Sequence, residues 1–216
     1  MAPTAWLALV VSKSTAATDG VDLSELYIID NNLADVMSES FGDCEANFTS
    51  AQAAGVASLA QQAAAQGITY VVSAGDSGSA GCDDPHLETT ATHPVSVNLL
   101  ASTPYTVAVG GTMFNESGHP STYWSATNAQ GTLESAISHI PEDVWNESCI
   151  TVQSGCAKAG IWAGGGGISK FFAKPSWQSG VVGIPGDGSR DVPDVSLTAA
   201  SHGSVTHTIT LTMIVQ

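Results

Sequence analysis

The sequence predicts an α/β fold, a parallel β-sheet flanked by helices, on three observations. Apolar runs of strand length alternate with stretches of helical period, helix-start signals stand between them, and the strands close on small residues. Strands alternating with helices in this way predict parallel pairing through right-handed crossovers. Residues 5–11 read as a buried strand. Asp22 then reads as the cap of a helix over 23–33, with Glu25 three residues on as in a capping box. Residues 36–41 read as a second strand that stops at Gly42. Thr49 with Gln52 is another helix start, Val56, Leu59, Ala60 and Ala63 recur at helical spacing, and Gly67 suits the residue just past the helix end. Residues 68–73 form a continuous apolar run of strand type, and 105–109 give one more strand, closed by Gly110-Gly111. From about Met113 to Gly167 the periodicity fades into Gly, Ser, Asn and isolated Trp, which predicts irregular loops decorating one domain. The Thr-rich stretch 201–216 reads as a weak strand or a disordered end.

The 216 residues suffice for a full hydrophobic core, and no apolar run approaches the roughly 18 residues that cross a bilayer. The chain is therefore expected to be no membrane protein. Only 12% of residues are charged, and 5 Lys+Arg against 20 Asp+Glu give a net charge of −15. So acidic a surface repels phosphate backbones, which excludes nucleic acid as a partner. The apolar run at 6–11 has no cation before it and Lys13 after it, the wrong order for a signal peptide. The chain is expected to begin inside a domain.

Cys44, Cys82, Cys149 and Cys156 contain no C-x-x-C pair, so a zinc ribbon is not expected and two disulfides are. If strands 36–41 and 68–73 are parallel neighbours, the loops holding Cys44 and Cys82 leave the same edge of the sheet. This predicts a Cys44–Cys82 bridge, with Cys149–Cys156 closing a small surface loop. Asp83, Asp84 and His86 could in principle ligate a metal, but beside Pro85 they read as solvated loop acids, and no metal site is expected. The six histidines sit in no motif that would serve a Ser-His-Asp hydrolase. Gly164–Gly167 with Ser169-Lys170-Phe171 does not meet the spacing of a phosphate loop.

Ligands of parallel sheets bind at the carboxyl ends of the strands, here Ser12-Lys13, Ser40-Phe41-Gly42 and Ser73-Ala74-Gly75-Asp76. These segments occur in one order with others: Ser38-Glu39-Ser40-Phe41-Gly42, Ser73-Ala74-Gly75-Asp76-Ser77-Gly78, Ser102-Thr103-Pro104-Tyr105, Val109-Gly110-Gly111-Thr112, Gly164-Gly165-Gly166-Gly167-Ile168-Ser169 and Asp191-Val192-Pro193-Asp194-Val195-Ser196. In that order they resemble the sedolisin family, the serine-carboxyl peptidases of subtilisin-like fold that work in acid. The resemblance covers residues 1–200 and implies a partial peptidase domain, incomplete at both termini, with 201–216 a diverged or disordered tail.

The resemblance implies roles only where residues match. Asp76 would be the oxyanion-hole aspartate, which must be protonated to donate a hydrogen bond. Ser40, Phe41 and Gly42 would form the strand that pairs with the substrate backbone, and Ser73, Ala74 and Gly75 the opposite wall of the specificity pocket. The family's catalytic Glu and Asp precede the Ala-Pro segment, here Ala2-Pro3, and its nucleophile lies in a G-T-S-x-S motif. No Gly-Thr-Ser occurs in these 216 residues. The family's calcium site lies beyond the nucleophile, so no cofactor is expected in this chain. The implied activity is acid endopeptidase action on a polypeptide substrate by a secreted monomer, with this chain inactive alone. The competing class is a non-catalytic fragment or peptide-binding remnant.

Overall fold

The computed structural model describes residues 5–132, 134–149, 160–200 and the backbone of 212–215. The central sheet contains β2 (Val36–Glu39), β3 (Thr69–Ser73), β4 (Val107–Phe114) and β8 (Val195–Thr198), all parallel, with β5 (Glu142–Val144) antiparallel to the far end of β4. Val36 pairs with Thr69 and Glu39 with Val72, so β2 and β3 are the parallel neighbours the sequence predicts. A separate hairpin joins β6 (Gly167–Ala173) to β7 (Ser189–Val192).

Helix α2 (Ser50–Ala65) begins as predicted: the Thr49 hydroxyl accepts from the Gln52 N–H while the Gln52 side chain accepts from the Thr49 N–H. Its small face, Ala53, Ala60 and Ala63, is buried in one hydrophobic cluster with Tyr70 and Val72 of β3 and Leu99 and Ala101 of the short helix α3 (Leu99–Ser102). Gly67 has φ +86°, the left-handed turn that ends α2.

Helix α1 spans Gly20–Asp30, earlier than predicted, and the Asp22–Glu25 capping box does not form. Ser14 accepts the Gly20 N–H instead, and a side chain at Gly20 would meet the Ser12 carbonyl at 2.1 Å. The buried stripe of α1 is Gly20, Ser24, Glu25 and Ile29, so a polar face is turned inward. Strand β1 (Ala8–Val11) is not the buried strand expected. Leu9 and Val11 are 42% and 41% exposed, because among the described residues β1 pairs only with β9 (Thr212–Val215) and makes no ladder with β2.

Strand β4 also departs from expectation. It does not stop at Gly110-Gly111 but runs through them to Phe114. Cβ atoms there would meet Pro193 at 2.6 Å and Trp145 at 2.9 Å, so the glycines let two side chains lie against the strand rather than break it. Between β4 and β6 the described residues are mostly irregular, with the short β5 and isolated bridges. The buried guanidinium of Arg190 is forked on Asp194 at 2.7 and 2.6 Å and stacks on Trp177. Asp194 in turn accepts from the Ala108 N–H of β4, tying the hairpin to the sheet.

Candidate active site

The carboxyl ends of β2 and β3 diverge to form a cleft of about 350 Å³. Ser40, Phe41 and Gly42 line one side, and Ser73, Ala74, Gly75 and Asp76 the other. All seven residues singled out in the sequence for catalysis or substrate binding therefore meet in one cleft. Asn98 holds the two sides together: its amide donates to the Phe41 carbonyl at 3.2 Å and the Ser73 carbonyl at 2.8 Å, while its Oδ1 accepts from Leu100 and caps α3. A Cβ at Gly42 would lie 2.2 Å from this amide, which fixes glycine there. Asn98 was not singled out in the sequence. It stands 22 residues beyond Asp76, and only the folded geometry brings it between the strand ends.

Asp76 is exposed at the cleft, and no hydrogen bond engages its carboxyl among the described residues. Its backbone is fixed instead. Its carbonyl accepts from the Ala163 N–H at 2.8 Å, the Ala163 carbonyl accepts from Gly78 at 2.9 Å, and the Gly75 carbonyl accepts from Gly165 at 2.7 Å. The glycine run 164–167 makes this possible, for a side chain at Gly165 would meet the Ala74 carbonyl at 2.2 Å. Gly165 therefore serves close backbone approach to the segment that follows β3 and leads to Asp76, while Gly164 lies against the backbone of Gly111 and Gly166 against the Val192 carbonyl. The result is a carboxyl presented by a rigid backbone and open to solvent, able to donate a hydrogen bond when protonated and to act as an anion when not.

The outer wall is a loop stapled to the sheet by the Cys44–Cys82 disulfide, the predicted bridge, with a Cα separation of 5.1 Å. Cys149 is also disulfide-bonded, and Cys156 lies outside the described residues. Asp83 is not a solvated loop acid. It is buried and collects the Thr92 hydroxyl and N–H and the His93 N–H and Nδ1. Those donors, the Thr92 hydroxyl foremost, hold its carboxyl well below the usual carboxylate range. His86 stands edge-on to Trp162, with ring centroids 4.4 Å apart, at the mouth of the cleft. Among the described residues, no three His, Cys, Asp or Glu side chains are grouped to hold a metal.

A parallel sheet with a cleft at its strand ends, walled by two glycine-containing segments and presenting the exposed carboxyl of Asp76, defines an α/β protein of the subtilisin-like type. The family model described as "Subtilase family" matches residues 1–163. The chain is 33% identical over 195 residues to sedolisin of Pseudomonas sp. (strain 101), covering 88% of this chain and 28% of that protein. It is 32% identical over 210 residues to xanthomonalisin of Xanthomonas sp. (strain T-22), covering 88% and 22%. The solved structure of Pseudomonas sedolisin, a serine-carboxyl proteinase complexed with two molecules of pseudo-iodotyrostatin, matches with a TM-score of 0.56 at 34% identity, over 84% of this chain and 42% of that one. The chain belongs to the subtilase family, in its sedolisin group, and spans roughly a quarter of the length of these curated relatives.

Proposed function

We propose that this chain is the part of an acid serine endopeptidase that carries its oxyanion-hole aspartate and the two walls of its substrate cleft. One observation supports the reading above others: Asp76 stands at the strand ends in the same cleft as Ser40–Gly42 and Ser73–Gly75. The reaction is acyl transfer to a serine. As the nucleophile attacks the scissile carbonyl, the protonated carboxyl of Asp76 donates to the developing oxyanion. The exposed backbone of 40–42 pairs with the extended polypeptide substrate, and the 73–75 wall orients the side chain beside the scissile bond. Removing one oxyanion-hole donor costs about 10²–10³ in rate. The nucleophile and the Glu–Asp pair that activates it are outside these residues, and loss of a serine nucleophile costs about 10⁶ in kcat. The 216-residue chain alone is therefore inactive. The complete enzyme is a secreted monomer acting on polypeptides in acid.

The test has two arms. The purified chain, incubated with denatured protein across the acid range, should give no cleavage. An enzyme rebuilt by joining residues 5–200 to a relative's flanking Glu–Asp and Gly-Thr-Ser-x-Ser segments should cleave it, and Asp76→Ala in that enzyme should lower kcat at least about a hundredfold with KM little changed. An unchanged kcat would reduce Asp76 to a turn residue and overturn the reading.

A further inference from the structure

Glu45 is an acidic side chain shut inside the core. It is 1% exposed and stands three residues past Gly42, in one wall of the cleft. A buried carboxyl is costly unless several donors converge on it. Here they come from two distant parts of the chain. Its Oε1 accepts from the hydroxyls of Ser102 in α3 and Ser169 in β6, and its Oε2 accepts from the Lys170 N–H at 2.7 Å. Ser102 and Ser169 are buried as well.

The β6 donors are free for Glu45 because the β6–β7 ladder is interrupted there. Gly167 and Ile168 pair with Val192 and Asp191, but pairing resumes only at Ala173 with Ser189, so 169–172 stand opposite Arg190 alone. A bulge of this kind leaves backbone N–H groups without ladder partners. Glu45 takes the one at Lys170. The Ser169 hydroxyl takes those of Phe171 and Phe172, at 3.1 and 3.0 Å, while it donates to Glu45.

Both ends of this network reach the cleft. On one side the Glu45 N–H donates to the Val97 carbonyl and the Asp43 carbonyl accepts from Leu99, at 2.9 and 3.0 Å. These bonds set the 40–42 wall against the segment that carries Asn98. On the other side, β6 begins directly after the stretch that packs behind Asp76, in which Gly165 donates to the Gly75 carbonyl and Ala163 to the Asp76 carbonyl.

We propose that Glu45 is a positioning residue: by clamping the β6 bulge to the 43–45 segment it fixes residues 163–165 behind Asp76, and so holds the Asp76 carboxyl at a set distance from the 40–42 wall. Its part in catalysis rests on the reading of Asp76 as the oxyanion donor, whereas the clamp itself does not. Glutamine cannot replace the carboxyl. If its NH₂ faces Lys170, two donors oppose each other. If it faces Ser169, that hydroxyl, already accepting two N–H bonds, loses the acceptor for its own proton.

The experiment has an exchange arm and a kinetic arm. In the 216-residue chain, Glu45→Gln should speed hydrogen exchange of the Gly78, Ala163 and Gly165 amides at least about tenfold, with residues 54–65 of α2 unchanged. Ser169→Ala, which leaves the Lys170 bond in place, should give the same pattern with a smaller rise. In the rebuilt enzyme, Glu45→Gln should lower kcat at least about tenfold with KM little changed. Once Asp76 is alanine, the same substitution should lower kcat no further. Unaltered exchange at 163 and 165 in both variants, or a rise spread evenly over α2 and the sheet, would overturn the clamp. A kcat loss in the Asp76→Ala background equal to that in the parent would overturn its action through Asp76. No catalysis enters the exchange arm, so the clamp can fail while the peptidase reading stands, and the reverse.

Discussion

Glu25 makes the stability of this protein depend on pH in an unusual direction for an acid. Its carboxyl is raised from 4.5 to about 7, first by burial in α1 against the sheet, then by the negative charge of Glu39, with Asp22 adding to the shift and the Tyr70 hydroxyl partly opposing it. A folded-state pKa above the unfolded value means that the native chain holds the proton more tightly. The stabilisation is therefore complete below about pH 4.5 and is lost as pH rises toward and through 7. Roughly two and a half pK units at about 1.36 kcal/mol each give an upper figure of about 3 kcal/mol. Glu25→Gln removes the titrating proton at nearly constant shape. By urea denaturation, the variant should match the parent near pH 4 and exceed it at pH 8 by up to about 3 kcal/mol, with an unchanged m-value. The difference between the two proteins cancels the general self-repulsion of a chain of net charge −15. A difference that does not vary between pH 4 and 8, or that grows in favour of the parent as pH rises, would refute the reasoning.

Three other outcomes follow from the contacts described. The Cys44–Cys82 bridge closes a separation of 38 residues, for which loop entropy gives about 4 kcal/mol, and a Cys44→Ala/Cys82→Ala chain should unfold at correspondingly lower urea. Arg190→Met should cost about 3–5 kcal/mol in the same assay, because it leaves Asp194 partly buried without its cation, and adding Asp194→Asn should recover part of the loss. Asn98→Ala frees the Phe41 and Ser73 carbonyls and should cost about 1–3 kcal/mol. In the rebuilt enzyme it should raise KM as the two cleft walls lose their tie.

The parts of this fold legible in the sequence are those set by local chemistry. The Thr49–Gln52 box, the alanine face of α2 and the apolar run of β3 each lie within a few residues of their cause. The Cys44–Cys82 bridge was legible because parallel pairing of β2 and β3 sends both loops out of one edge. The cleft was legible in its seven matched residues, all near strand ends. What was missed depends on contacts between distant segments. Gly110 and Gly111 look like a strand stop until Pro193 and Trp145 are seen pressed on them. The start of α1 is set by Ser14 and by the closeness of Ser12 to Gly20, which outweigh the box that Asp22 and Glu25 could have formed. Asp83 reads as a surface acid until Thr92 and His93 fold over it. The role of Asn98 in the cleft carries no local signal, since the carbonyls it donates to, those of Phe41 and Ser73, lie far back in the chain.

The central claim is that Asp76 donates a proton-bearing hydrogen bond to an oxyanion, and the ratio of kcat for the rebuilt enzyme to kcat for its Asp76→Asn variant tests it most directly as pH rises. Asparagine donates at every pH, whereas a carboxyl donates only while protonated. Titrations of the shared Glu–Asp pair and of the substrate cancel in the ratio. The ratio should be highest in acid and fall steadily toward neutrality, with Asp76→Ala well below both proteins at the acid optimum. A ratio that is flat with pH, with the alanine variant as fast as the asparagine one, would contradict it.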